Sequence, residues 1–90
     1  MPTFHLPSVL SAHIGGTRAV ETSGATVEQA IDRLVDQYPQ LAPRLRDASG
    51  APYPFVTFYL NDEDVRLVGG FGVAVSDDDE VTIVPAVAGG

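Results

Sequence analysis

Asp77-Asp78-Asp79-Glu80-Val81-Thr82-Ile83-Val84-Pro85-Ala86-Val87-Ala88-Gly89-Gly90 closes the chain, and its character changes three times along the way. The acidic residues, with Ser76 before them, suit a tight turn because their short side chains bond nearby backbone. Val81 to Val84 then reads as a strand, and Pro85, which has no N–H to give to a ladder, marks its end. Only small, uncharged residues follow, and the last two are glycines. Without a Cβ, a Gly-Gly terminus is the slimmest end a polypeptide has, a shape suited to a carboxylate that must thread a narrow channel and react there. The plain alternative is a terminus that merely frays.

Upstream of this stretch, Phe55-Val56-Thr57-Phe58-Tyr59-Leu60 is the strongest strand of the sequence. Alternation puts Val56, Phe58 and Leu60 on one side and Phe55, Thr57 and Tyr59 on the other. Asn61 to Asp64 is predicted to turn, and Val65-Arg66-Leu67 to form a short strand broken by Gly69-Gly70. Residues 27–38 are predicted as the helix. Thr26 is its N-cap and Gln29 completes a capping box. Val27, Ala30, Ile31, Leu34, Val35 and Tyr38 make one apolar stripe, and Pro39 ends it. Residues 40–54, with Pro43, Gly50, Pro52 and Pro54, read as a short turn and a loop pinned to the core edge by Leu41 and Leu45. Near the start, residues 3–10 read as a strand with Pro7 at its end or at an irregularity. Gly15-Gly16 turns the chain into a second strand at Arg18 to Glu21. The order is therefore ββαβββ or ββαββ, with the strands on one side of a single helix.

Ninety residues make one domain, and 44% hydrophobic with 19% charged residues is ordinary for a folded globular chain. No cysteine is present, which removes disulfides, thiolate metal sites and a cysteine nucleophile. Any sulfur chemistry must then use something other than a side-chain thiol. The five cations are all arginines (Arg18, Arg33, Arg44, Arg46, Arg66) and the net charge is −7. A phosphate backbone repels such a chain, so nucleic acid is excluded as a partner. A basic protein surface is one counterpart for this charge; simple solubility is the other reading. No run is apolar and long enough to span a membrane and no signal peptide is visible, so the expected location is the cytoplasm.

Candidate sites are few. Asp62-Glu63-Asp64 and Asp77 to Glu80 lack the spaced oxygens, turn glycine and distal glutamate of a calcium loop, and read as solvated turns rather than a metal site. His5 and His13 stand in no recognisable relation to a serine or carboxylate. The glycine pairs at 15, 69 and 89 lack the spacing and lysine of a phosphate loop. Phe55, Tyr59 and Val84 are predicted on the sheet face away from the helix, as an apolar patch for a partner; scattered surface aromatics are the bland alternative. Nothing here makes an enzyme by itself.

The element order, and above all residues 77–90, resemble the β-grasp sulfur carriers of the MoaD/ThiS/CysO family. Asn61 to Arg66 and Pro85 to Gly90 are most similar to its cysteine-biosynthesis (CysO) branch. Ala86 departs from the second proline common in MoaD proteins, and the 40–54 insertion departs from the shorter ThiS chains. The resemblance implies an α+β, ubiquitin-like fold with a mixed four- to five-stranded sheet packed on one main helix, a domain over residues 1–85, and a flexible tail over 86–90. It implies a protein co-substrate that binds no cofactor of its own. An E1-like enzyme uses ATP to adenylate Gly90 and then installs sulfur as a thiocarboxylate. Ala86, Val87, Ala88 and Gly89 form the delivery arm, and with Gly90 the five residues past Pro85 reach roughly 17 Å at up to ~3.5 Å each. The implied partners are that activating enzyme, a pyridoxal-phosphate-dependent cysteine synthase and a zinc peptidase of the JAMM type, with the carrier itself a monomer. The alternatives are the small subunit of molybdopterin synthase, a ubiquitin-like modifier joined through Gly90 to a lysine, and a β-grasp interaction module with an inert tail.

Overall fold

A computed structural model describes residues 1–85. Five strands alternate with short helices: β1 (Thr3–His5), α1 (Ser8–Ser11), β2 (Ala19–Glu21), α2 (Val27–Gln37), α3 (Ala42–Leu45), β3 (Val56–Leu60), β4 (Glu63–Asp64) and β5 (Glu80–Pro85). The sheet order is β2-β1-β5-β3-β4. β1 and β5 run parallel in the centre, with Thr3 opposite Glu80 and His5 opposite Thr82, and the other pairs are antiparallel. This is the mixed β-grasp sheet that the resemblance implies, with its last strand in the middle.

One core joins sheet and helix. Phe4 and Val20 from the N-terminal hairpin, Val56 and Phe58 from β3, and Val81 and Ile83 from β5 meet Val27, Ala30, Ile31 and Leu34 of α2. Thr26 caps α2 as expected, accepting from the Gln29 N–H at 3.2 Å. Gln29 reciprocates one residue further out, where its Oε1 accepts from the Ala25 N–H. Two more donors at the helix start are satisfied by the connection before β5: Val27 N–H donates to Val73 and Glu28 N–H to Phe71. Unpaired helix-end donors are costly when water is excluded, so this latch fixes where the 68–75 loop crosses the core. Gly24 sits below it at φ +140°, with Ala30 N only 2.8 Å from where a Cβ would stand.

Three expectations change. Residues 3–10 are not one strand, because the ladder stops at His5 and Pro7 starts α1. Pro7 cannot donate, but its carbonyl accepts from the N–H groups of Leu10 and Ser11, closing a helical turn that buries Leu10. Val65 to Leu67 is a 3-10 turn rather than a strand, and the strand there is β4 at Glu63–Asp64. The Asp64 carboxylate accepts from Arg66 N–H. The Arg66 guanidinium then bonds the carbonyls of Pro54 (3.0 Å) and Val56 (3.1 Å), covering the sheet edge that β4 is too short to pair. Residues 39–45 are helical, and Leu41 and Leu45 lie fully in the core rather than at its edge. The rest of that insertion is closed by Asp47, whose carboxylate accepts from Ser49 N–H, Ser49 Oγ and Ala51 N–H.

Candidate functional site

The candidate site is the place where β5 ends. β1 flanks β5 only as far as Thr82, and β3 follows it to the end, where Val56 stands opposite Pro85. Beyond His5 the chain leaves the sheet at Pro7, so α1 rather than a strand lies beside the end of β5. The result is a depression of about 350 Å³ lined by Val9, Leu10, His13, Pro43, Arg44, Tyr53, Phe55 and Pro85. Val9 is 60% exposed and Phe55 54%, both high for large apolar residues. Phe55 is held by stacking on Tyr53, ring centroids 4.7 Å apart and planes 17° from parallel. Among the described residues, no carboxylate lines this depression. Two other depressions are lined in part by carboxylates, Glu28 and Asp32 in one and Asp47 in the other.

The three residues expected to form a patch are divided by the fold. Tyr59 faces Thr82 and Val84 faces Thr57 across the β3–β5 ladder. Tyr59 and Val84 are therefore diagonal neighbours on the face opposite Phe58 and Ile83, close enough for a long side chain to bridge. Val84 is 44% exposed. Phe55 precedes β3 and belongs instead to the depression beside Pro85. Gly90 and the arm residues Ala86, Val87, Ala88 and Gly89 lie outside the described residues.

The sequence reading missed Val9, Pro43, Arg44 and Tyr53. Val9 carried a signal: in residues 3–10 the apolar residues Phe4, Leu6 and Leu10 hold the even positions, and Val9 breaks that pattern. The others come together only through tertiary packing.

The far end of β5 is polar and acidic. Asp79 accepts from Ser76 N–H at 2.7 Å and from the Asn61 amide at 3.2 Å. These bonds, Ser76's first, hold its carboxyl below the usual aspartate range. Asn61 takes φ +58°, and its side-chain oxygen accepts from Glu80 N–H. His5 Nε2 lies 2.6 Å from Glu80 Oε1 on the surface, and the Met1 ammonium donates to Asp77. His13 is in the lining of the depression, remote in role from His5. Among the described residues, no helix is long and apolar enough to cross a membrane.

Comparison with known proteins places this geometry in a context. Residues 9–90 match the ThiS family. The sulfur carrier protein CysO of Mycobacterium tuberculosis (strain ATCC 25618 / H37Rv) is 46% identical over 90 residues, covering 98% of this chain and 97% of that one. The crystal structure of the Amycolatopsis orientalis BexX/CysO complex contains a chain that superposes with a TM-score of 0.88 at 41% identity, covering 100% of both chains. The small archaeal modifier protein 1 of Haloferax volcanii is 33% identical over 82 residues, covering 88% of this chain and 90% of that one.

Proposed function

The chain belongs to the ThiS family, and on that premise we propose that it is a sulfur carrier protein, not an enzyme, whose Gly90 carboxylate is the reacting group. The observation that carries this reading is the near full-length similarity to a sulfur carrier, 46% identity over 90 residues, in a fold whose central strand runs directly into the Gly-Gly terminus.

The chemistry divides between the chain and its partner. A carboxylate oxygen of Gly90 attacks the α-phosphorus of ATP held by an E1-like enzyme, and pyrophosphate leaves. Hydrosulfide supplied by that system then attacks the acyl carbon, the acyl–phosphate bond breaks, AMP departs, and loss of the sulfur's proton leaves the carrier ending in a thiocarboxylate. The carrier's contribution is presentation. Pro85, the last residue of β5, has no N–H to give to a ladder, and the small side chains of residues 86–90 suit a narrow channel. A chain with no cysteine and no lysine offers few nucleophiles of its own to an activated terminus. The 46% relative supports cysteine biosynthesis as the destination. There the thiocarboxylate sulfur is consumed on a pyridoxal-phosphate-dependent cysteine synthase and a zinc peptidase releases the product. The cytoplasm is the compartment proposed for this traffic.

The test is intact mass after incubation with ATP, a candidate E1-like enzyme and a sulfur source. An oxygen-to-sulfur mass gain that disappears when Gly90 is deleted is expected. No gain with any E1-like enzyme of the source organism would remove the carrier reading. The similarity to a small archaeal modifier protein favours a second reading, in which the activated Gly90 forms an amide with an amine of a target protein. Conjugates of higher mass that resist thiol and contain the Gly90 terminus distinguish it.

A further inference from the structure

We propose that the depression beside Pro85 receives an apolar side chain that stands next to a carboxylate on the protein that takes up the tail. This rests on the reading that residues 86–90 are delivered to a partner.

Three independent observations converge on that occupant. The first is position. Pro85 is both the last residue of β5 and part of the lining, so a protein that surrounds residues 86–90 must press against the rim of this depression. The second is unpartnered apolar surface. Val9 and Phe55 are more than half exposed although they sit side by side with the buried Leu10, and Phe55 is fixed in place by its stack on Tyr53. A preformed apolar recess loses little side-chain freedom when it is filled. The third is charge. The chain carries a net charge of −7, yet among the described residues this lining contains Arg44 and His13 and no carboxylate. Arg33 and Arg46 are paired to Asp36 and Asp32, and Arg66 is spent on backbone carbonyls. Arg44, like Arg18, has no carboxylate partner among the described residues, and of the two it is Arg44 that lines the depression. An unpaired cation beside an apolar recess fits an apolar side chain flanked by Asp or Glu, and fits a basic loop poorly.

The surface around Tyr59 and Val84 is on the sheet face opposite Phe58 and Ile83, where Asp64 stands across from Tyr59 and His5 across from Thr82. The two surfaces therefore make separable predictions about the same partner.

The experiment uses the full chain and whichever E1-like enzyme of the source organism adenylates it, read by ATP–pyrophosphate exchange at varied carrier concentration. Val9→Glu and Arg44→Glu are expected to raise KM for the carrier about tenfold each with kcat largely kept, the signature of lost docking. Arg44→Lys is expected to restore most of the Arg44 effect, because a cation is what the rim supplies. Circular dichroism and melting of each variant should match the wild type, since both positions are exposed. Unchanged KM in Val9→Glu and Arg44→Glu overturns the proposal while leaving the carrier reading intact. Absence of exchange with the wild-type chain and every such enzyme removes the carrier reading, and the proposal falls with it. Two further outcomes also overturn it. One is a dimer in sedimentation that Val9→Glu splits, which makes a second copy the occupant. The other is a change in the Val9 methyl resonances of the isolated protein on deleting residues 86–90, which makes the chain's own tail the occupant.

Discussion

The two ends of β5 are built to opposite rules. At its start, Asn61, Ser76, Asp79 and Glu80 exchange hydrogen bonds with one another, and Thr3 N–H bonds the Asp79 carbonyl. At its finish, Pro85 offers no donor, β1 has already turned away, and the neighbours are Val9, Phe55 and Arg44. One end is held and the other is left open. The contrast teaches where a small carrier places its stability: in the turn that starts the strand, so that the end can be surrendered to a partner without loosening the core.

The largest effect should come from the open end and should leave the fold untouched. Deleting Gly90 is expected to abolish the oxygen-to-sulfur mass gain completely while the melting temperature stays that of the full chain. A clear drop in melting temperature would show that the terminus contributes to the fold, and the contrast between the ends would fail.

The held end should give the reverse result, lost stability with chemistry kept in whatever remains folded. Asn61→Ala removes two side-chain hydrogen bonds and leaves a Cβ-bearing residue at φ +58° without the local bonds that favour Asn there. A loss of about 2 kcal/mol follows, or about 10 °C in a domain of this size. Asn61→Gly keeps the backbone conformation and should lose roughly half as much. Equal losses in the two variants would mean that the left-handed conformation contributes nothing.

These two ends also mark how far the sequence could be read. α2 was visible because its evidence is local: a capping residue, a stripe of period 3.6 and a terminating proline. The β5 strand and the turn before it were visible for the same reason. α1 and the 65–67 turn were not. Four or three residues are too few for a period to show, and what fixes the 65–67 turn is the Asp64 cap and the bond of Arg66 to carbonyls on another strand. The apolar patch was half legible. Alternation correctly paired Tyr59 with Val84, but it extended the strand one residue too far and so assigned Phe55 to the wrong surface. The lining of the depression, drawn from α1, α3 and the loop before β3, has no linear signature beyond the misplaced Val9.

The opposite faces at the open end can be set against each other as well. Tyr59→Asp places a charge on the far face, among Thr57, Thr82 and Val84, at a position that is not part of the core. If both faces touch the activating partner, KM should rise a few-fold in Tyr59→Asp, less than in Val9→Glu, because the cross-strand neighbours of Tyr59 are Asp64 and Thr82 rather than an arginine. An effect larger than that of Val9→Glu would make the far face the main contact.

The smallest effect separates the ends by pH. Asp79 is held below the usual aspartate range by the Ser76 N–H and then by the Asn61 amide. A carboxyl whose folded pKa lies below its unfolded value stabilises the fold at pH above the unfolded value. That contribution declines as pH falls below the unfolded aspartate value and is gone once pH has passed through the folded one. Near neutral pH the carboxylate is ionised in both states, so its bonds to Ser76 and Asn61 count in full. Asp79→Asn should therefore lower the melting temperature slightly at pH 7, and the difference should shrink as pH falls below the unfolded aspartate value. The site is exposed to solvent, so the difference at pH 7 should be a small fraction of that seen for Asn61→Ala. A gap between the two melting curves that persists or widens in acid would show that Asp79 acts through its shape in the turn rather than through its charge. The held end would then owe its stability to packing and backbone bonds alone.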